Sequence, residues 1–198
     1  PAVGVMIVCS GASEKQLTDM LNTLDKYGVK GTFYVTGDFV RRNPERIQRI
    51  IDAGHELGSH GNNPINMTEV SYVRVQENIR ELNELCEETF GVRPRLFCAH
   101  LGATNSIVTA IARAEGVEDC LFAIDTRDWS DTYKDKVNQM VYRVTSDQVT
   151  SGCVVQFHIN GYHTAEVLDK ALDNWINVKG LRPVTVGELM QLSGRDFP

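Results

Sequence analysis

Val29-Lys30-Gly31-Thr32-Phe33-Tyr34-Val35-Thr36-Gly37, then Asn43-Pro44, then Gly54-His55-Glu56-Leu57-Gly58-Ser59-His60, carries the fold in one short stretch. Gly31 to Val35 is rich in β-branched and aromatic residues and reads as a strand. Asn43 before Pro44 places a cap and then proline in the first helical turn. Ile47, Ile50 and Ile51 give that helix one apolar face, and Gly54 ends it. Glu56 to Ser59 is the next strand. A helical crossover of this length joins parallel neighbours.

The same rhythm extends in both directions. Val3 to Cys9 is a β-rich apolar run. Ser13-Glu14-Lys15-Gln16 is a capping box that opens a helix with Leu17, Met20, Leu21 and Leu24 on one face, closed at Gly28. After a polar loop from His60 to Thr68, Val75, Ile79, Leu82, Cys86 and Phe90 mark a long helix ending at Gly91. Strands are expected at Arg95 to Ala99, Cys120 to Asp125 and Cys153 to His158. Helices are expected at Ser106 to Glu115, Lys136 to Asp147 and Thr164 to Val178. A brief strand at Pro183 to Thr185 precedes a last helix capped by Thr185. Seven β segments with helical crossovers fit an open doubly wound sheet or a barrel one unit short of (β/α)8. No GxGxxG or GxxxxGK[ST] follows a strand, which disfavours dinucleotide and P-loop chemistry.

The 198 residues are expected to form a single domain over 1–198. Hydrophobic residues at 42% and charged residues at 23% are those of a globular chain rather than a disordered one. A formal charge of -6 argues against a nucleic-acid partner. Apolar runs such as Val5 to Cys9 are far shorter than the roughly 18 residues of a membrane span. The start at Pro1 is expected of a processed or trimmed chain. The five cysteines, Cys9, Cys86, Cys98, Cys120 and Cys153, include no CxxC pair.

In either architecture ligands sit beyond the carboxyl ends of the strands. Four of the five histidines, His60, His100, His158 and His163, fall there. Two chemistries fit such a cluster: a metal site built from His60, His100 and His158 with an aspartate, or a Cys-His pair joining Cys9 or Cys98 to His158.

The order of features resembles the polysaccharide deacetylase family (carbohydrate esterase family four, the NodB-homology domain, which includes chitin deacetylases). The resemblance rests on Val29 to Gly37, Gly54 to His60, Gly91-Val92-Arg93-Pro94 and Val184-Thr185-Val186-Gly187-Glu188-Leu189. It implies an α/β fold, a distorted (β/α)7 barrel. Family chemistry uses a divalent metal, usually zinc, held by one aspartate and two histidines. A second aspartate is the base and a late histidine the acid. Aligned on T-F-D-D-G, the base position is Cys9 and the metal aspartate position is Ser10. In H-[ST]-x-x-H, His60 is kept and Pro64 replaces the second histidine. Cys98 stands where an arginine orients the base. Asp125-Thr126-Arg127-Asp128-Trp129 keeps D-x-x-D-W. His158 keeps the acid, with Asp125 as its expected carboxylate partner, and Gln156 replaces a leucine of the acetyl pocket.

One imidazole cannot hold catalytic zinc, which takes three protein ligands. Loss of the base alone removes about 10²- to 10⁴-fold. The expectation is therefore no zinc or other cofactor, no appreciable deacetylation, and His158 and Asp125 as non-functional remnants. Trp129, Asp128, Tyr162 and His60 are the expected binding residues, for a chitin-like or other cell-wall glycan. The resemblance also implies a location outside the cell, at its surface or wall. The alternatives are an active hydrolase using Cys9 as nucleophile or a site rebuilt around His60 and His100, and a protein-interaction domain keeping only the shell. Cys9 and Cys98 are expected as two free thiols, with a disulfide or soft-metal pair as the alternative.

Overall fold

Strand β1 (Ala2–Cys9) is buried along its whole length, as a strand with neighbours on both edges must be. The computed structural model describes residues 1–195; the last three residues of the expected domain lie outside the described residues. Helix α1 (Glu14–Lys26) follows. Its capping box forms as the sequence predicts: the Gln16 N–H donates to Ser13 Oγ at 3.1 Å and the Ser13 N–H to Gln16 Oε1 at 2.9 Å. Next come β2 (Thr32–Val35), α2 (Gly37–Arg42), α3 (Pro44–Asp52), β3 (Glu56–Ser59) and the long α4 (Tyr72–Phe90). The chain continues through β4 (Leu96–Phe97), α5 (Ser106–Ala114), β5 (Glu118–Asp119) and β6 (Ile124–Asp125). It ends with α6 (Val137–Thr145), β7 (Val154–His158), α7 (Thr164–Asn177), β8 (Arg182–Val184) and α8 (Val186–Leu192).

Every strand pairing is parallel, in the order β5-β4-β3-β2-β1-β7-β6. β8 joins the first residues of β1, Ala2 to Gly4. The sheet curls into a distorted (β/α)7 barrel, open between β5 and β6. Met6, Tyr34, Leu96 and Cys98, from β1, β2 and the β4 region, meet inside it with Val186 and Met190 of α8. The alternate residues Val3, Val5, Ile7 and Cys9 face outward, in one cluster with Leu17, Leu24 and Trp175 of the helical layer. This period of two decides which strand residues reach the site. Gly58 is required by the same alternation, because a Cβ there would lie 2.7 Å from the Tyr34 ring.

Two elements depart from the sequence expectation. The run Cys120 to Asp125 is not one strand: β5 and β6 lie at opposite ends of the sheet, and residues 120–123 cross the open side with Leu121 exposed. A continuous apolar run carries no signal of which neighbour it will pair with. The six-residue α2 was not expected either. Thr36 caps it through the Phe39 N–H, and Asn43-Pro44 stops it before a periodic face can develop. Among the described residues no helix is long and apolar enough to cross a membrane.

Candidate functional site

The carboxyl ends of the strands surround a cavity of about 730 Å³, within the size range of small-ligand sites. Val8 and Ser10 from the end of β1, Gln156 and His158 from β7, and His60, Pro64 and His100 from loops line it. Leu101, Phe122 and Trp129 shape its mouth. Leu101 is 77% exposed and Trp129 56%, so the rim is apolar while the floor is polar.

His60 is buried beside β3. Its Nδ1–H donates to the Cys98 carbonyl at 2.6 Å, which leaves Nε2 as the unprotonated nitrogen. The His100 ring lies 5.9 Å away, tilted by 58°. Burial pushes the His60 imidazole down to about 4, and the neighbouring His100 and His158 act in the same direction. His55 is likewise pushed down to about 4, first by burial and then by Lys30, and its Nδ1 accepts from the Gly31 N–H at 3.1 Å. Both rings are neutral when folded and titrate near 6.5 when unfolded, so the unfolded chain binds more protons below that pH. Stability should be full above about pH 6.5 and fall as pH drops toward 4, with His60 accounting for up to about 3 kcal/mol of the loss. Denaturant unfolding between pH 7.5 and 4.5 checks this. A His60→Gln variant should flatten the profile, and an unchanged profile would refute a buried neutral His60.

Cys9 does not reach the cavity. It is fully buried in the outer cluster, and burial holds its thiol far above the usual range. A thiol kept protonated and turned toward the helices is no nucleophile. The reading of Cys9 as nucleophile is therefore corrected, and Cys9 with His158 makes no catalytic pair. Cys98 faces the barrel interior with Tyr34 and Cys120, on the other face of the sheet from Cys9. All five cysteines are free, and the alternative Cys9–Cys98 disulfide or soft-metal pair is excluded by that placement.

The carboxylate partner of His158 also differs from the expectation. His158 Nδ1 donates to Asp128 Oδ1 at 2.9 Å, and the His158 N–H donates to Asp128 Oδ2 at 2.8 Å. Thr164 Oγ1 donates to the same Oδ2 at 2.9 Å. Asp128 is fully buried and does not line the cavity; it orients His158 from behind the wall, where the expected reading had it facing the glycan. Asp125 instead folds the turn. Its Oδ1 accepts from the Arg127 N–H at 3.0 Å and its Oδ2 from Trp129 Nε1 at 2.8 Å, fixing the indole at the cavity mouth. Both aspartates belong to D-x-x-D-W, and the sequence gives no rule for which one turns inward. Tyr162 is not part of the cavity wall: its hydroxyl donates to Asp131 and Lys134 lies over its ring.

This cavity, ringed by the ends of parallel strands, belongs to residues whose sequence is shared with other proteins. Residues 10–120 match the family model described as polysaccharide deacetylase. The chain belongs to the polysaccharide deacetylase family. It is 33% identical over 190 residues to the uncharacterized protein YlxY of Bacillus subtilis, covering 96% of this chain and 57% of YlxY. It is 28% identical over 179 residues to the peptidoglycan-N-acetylglucosamine deacetylase PgdA of Listeria monocytogenes, covering 90% of this chain and 37% of PgdA. The chain thus spans little more than half of the first relative and under half of the second. Among solved structures, peptidoglycan deacetylase PdaC from Bacillus subtilis superposes with a TM-score of 0.85 at 23% identity, over 98% of this chain and 91% of that one. A CE4 family pseudoenzyme from Bacillus anthracis gives 0.86 at 24%, over 96% and 65%. Both share the fold.

The deacetylase family is normally metal-dependent, and the residues here can be tested against that. At the family ligand positions Ser10 offers a neutral hydroxyl, Pro64 no side-chain donor, and only His60 an imidazole. His60 keeps the arrangement of a metal ligand, with its other ring nitrogen bound to a backbone carbonyl, but one strong donor does not make a site. These residues do not fit the metal. Asp125 and His158 of the cavity wall and the buried Asp128 behind them bring donor atoms within 4.8 Å of one another, so the structure does not support the absence of a metal as such. A cation there would share carboxylate oxygens that already accept hydrogen bonds: one on each oxygen of Asp125 and on Asp128 Oδ1, and two on Asp128 Oδ2.

Proposed function

We propose that this member of the polysaccharide deacetylase family binds an N-acetylated cell-wall glycan without deacetylating it. The observation that carries the reading is the donor set at the strand ends: Ser10, His60 and Pro64 in place of a metal triad, with Cys9 at the base position facing the helical layer. Without a metal, bound water keeps a pKa near ~15.7 rather than ~7, and no carboxylate stands at the base position to take its proton. What remains is a binding cavity with an apolar rim at Leu101, Phe122 and Trp129 and hydrogen-bonding groups at Ser10, His60, Gln156 and His158. Pyranose rings present apolar C–H faces and polar edges that suit such a wall.

The names of the relatives support the choice of glycan class. PgdA is a peptidoglycan-N-acetylglucosamine deacetylase and PdaC a peptidoglycan deacetylase, so a peptidoglycan-type chain is favoured, with chitin as a chemical analogue. Action at the cell wall, outside the membrane, belongs to the same reading. The fold is compatible with either state, since a mutant of the Bacillus anthracis pseudoenzyme is described as having restored enzymatic activity.

Metal analysis after incubation with zinc or cobalt, run beside acetate release from N-acetylglucosamine oligomers and peptidoglycan, tests the proposal. Acetate release is expected to stay at the buffer rate, and oligomer binding to be unchanged by a chelator. Steady acetate release that a chelator abolishes would overturn it.

A further inference from the structure

A second concavity, of about 1020 Å³, runs down the open side of the barrel between residues 122–125 and α6. It is not part of the strand-end cavity, yet the two share a wall, since Phe122, Asp125 and Trp129 line both. Asp125, Arg127 and Trp129 of the D-x-x-D-W turn form one side of it, and the α6 side lies outside the deacetylase motifs.

Its surface has the composition of a sugar platform. Trp129 is 56% exposed and Tyr142 72%, and Tyr133 lies between α6 and the D-x-x-D-W turn. The indole is held by Asp125 Oδ2. Arg143 donates to the Asp125 carbonyl at 2.9 Å and lies 6.0 Å from the Tyr133 ring centre. The Trp129 and Tyr133 rings are thus held before a ligand arrives, which spares part of the ordering cost of binding, while Tyr142 stands exposed on α6. The side-chain amides of Asn138 and Gln139 also line the groove and make no hydrogen bond to another described residue, so they are available to hydroxyl and N-acetyl groups.

We propose that this lateral groove is a second glycan subsite, continuous with the strand-end cavity across Trp129, so that the chain holds an extended oligosaccharide rather than one or two sugars. The inference rests on the glycan-binding reading above and adds to it the length of the ligand and the residues that recognise it. Trp129 serves both subsites, and Tyr142 is the platform peculiar to the groove. An extended glycan suits this surface better than an apolar peptide, because most of its lining is aromatic or polar and only Ala123 and Ile124 are aliphatic.

Calorimetric titration with the dimer and the hexamer of N-acetylglucosamine tests this on the unaltered chain and on Tyr142→Ala. Tyr142 is exposed on α6, so its truncation leaves the core intact. The hexamer is expected to bind about tenfold more tightly than the dimer, and Tyr142→Ala to remove most of that advantage, in keeping with the scale of an aromatic contact. Equal affinity for the two lengths, or a hexamer advantage untouched by Tyr142→Ala, would overturn the groove while leaving the cavity reading in place. If neither length binds, the glycan-binding reading fails and the groove assignment with it.

Discussion

The double variant Ser10→Asp/Pro64→His is expected to take up one zinc ion per chain at the strand-end cavity, where the unaltered protein is expected to take up none at that position. Ser10, His60 and Pro64 line the same cavity, and His60 already has the geometry of a ligand. Its Nδ1–H is fixed on the Cys98 carbonyl at 2.6 Å, so the remaining lone pair sits on Nε2, and burial keeps the ring neutral at physiological pH. Supplying a carboxylate and a second imidazole completes a three-ligand set. The gain in affinity should be at least about 100-fold, since even an orienting bond to a ligand changes metal affinity on that scale. Calorimetry and metal analysis of the folded variant provide the check. Stoichiometric zinc at that position on the unaltered chain, or none on a variant with a native melting profile, would contradict the assignment of these positions. Acetate release should remain at background in the variant, because the base position is not rebuilt.

Cys9→Asp, the substitution that a motif alignment would suggest for restoring that base, is expected to destabilise the protein by roughly 3 to 5 kcal/mol instead of creating a catalyst. Cys9 is fully buried in the outer apolar cluster, beside its register partner Val35 of β2. A carboxylate placed there must either ionise unpaired or remain protonated with poor hydrogen bonding. For a chain of this size such a loss lowers the melting temperature by about 10 °C. Thermal unfolding at neutral pH measures it. A Cys9→Asp protein as stable as the parent would show that this side chain reaches solvent or the cavity after all.

The contrast between neighbouring positions explains how far the sequence could be read. The strand-helix alternation, the capping box at Ser13 and Gln16, the cap at Thr185 and the parallel pairing were legible because they depend on local pattern: residue period, turn chemistry and connection length; the choice of barrel over open sheet came from the family resemblance. The family resemblance was legible for the same reason, since Val29 to Gly37 and Gly54 to His60 are contiguous. The loss of metal donors at Ser10 and Pro64 also needed no structure, because a hydroxyl and a pyrrolidine ring have the same chemistry wherever they point.

Direction was another matter. Aligned letters put Cys9 and Ser10 side by side in one motif, but successive strand residues face opposite sides of a sheet, so Ser10 lines the cavity while Cys9 joins the helical layer. Asp125 and Asp128 are three residues apart in a tight turn. Only the folded path of that turn gives His158 to Asp128 and Trp129 to Asp125. The splitting of Cys120 to Asp125 into two strands, and the groove along α6 that it opens, depend on which edges remain unpaired when the sheet curls. Composition and spacing by themselves determined the strand-helix alternation and its parallel pairing, and the family resemblance added the barrel and the missing metal donors, because all of these are read from residues and their immediate neighbours. Which side chains meet at the site was settled only by tertiary structure, because facing and contact are fixed by strands and turns brought together from distant parts of the chain.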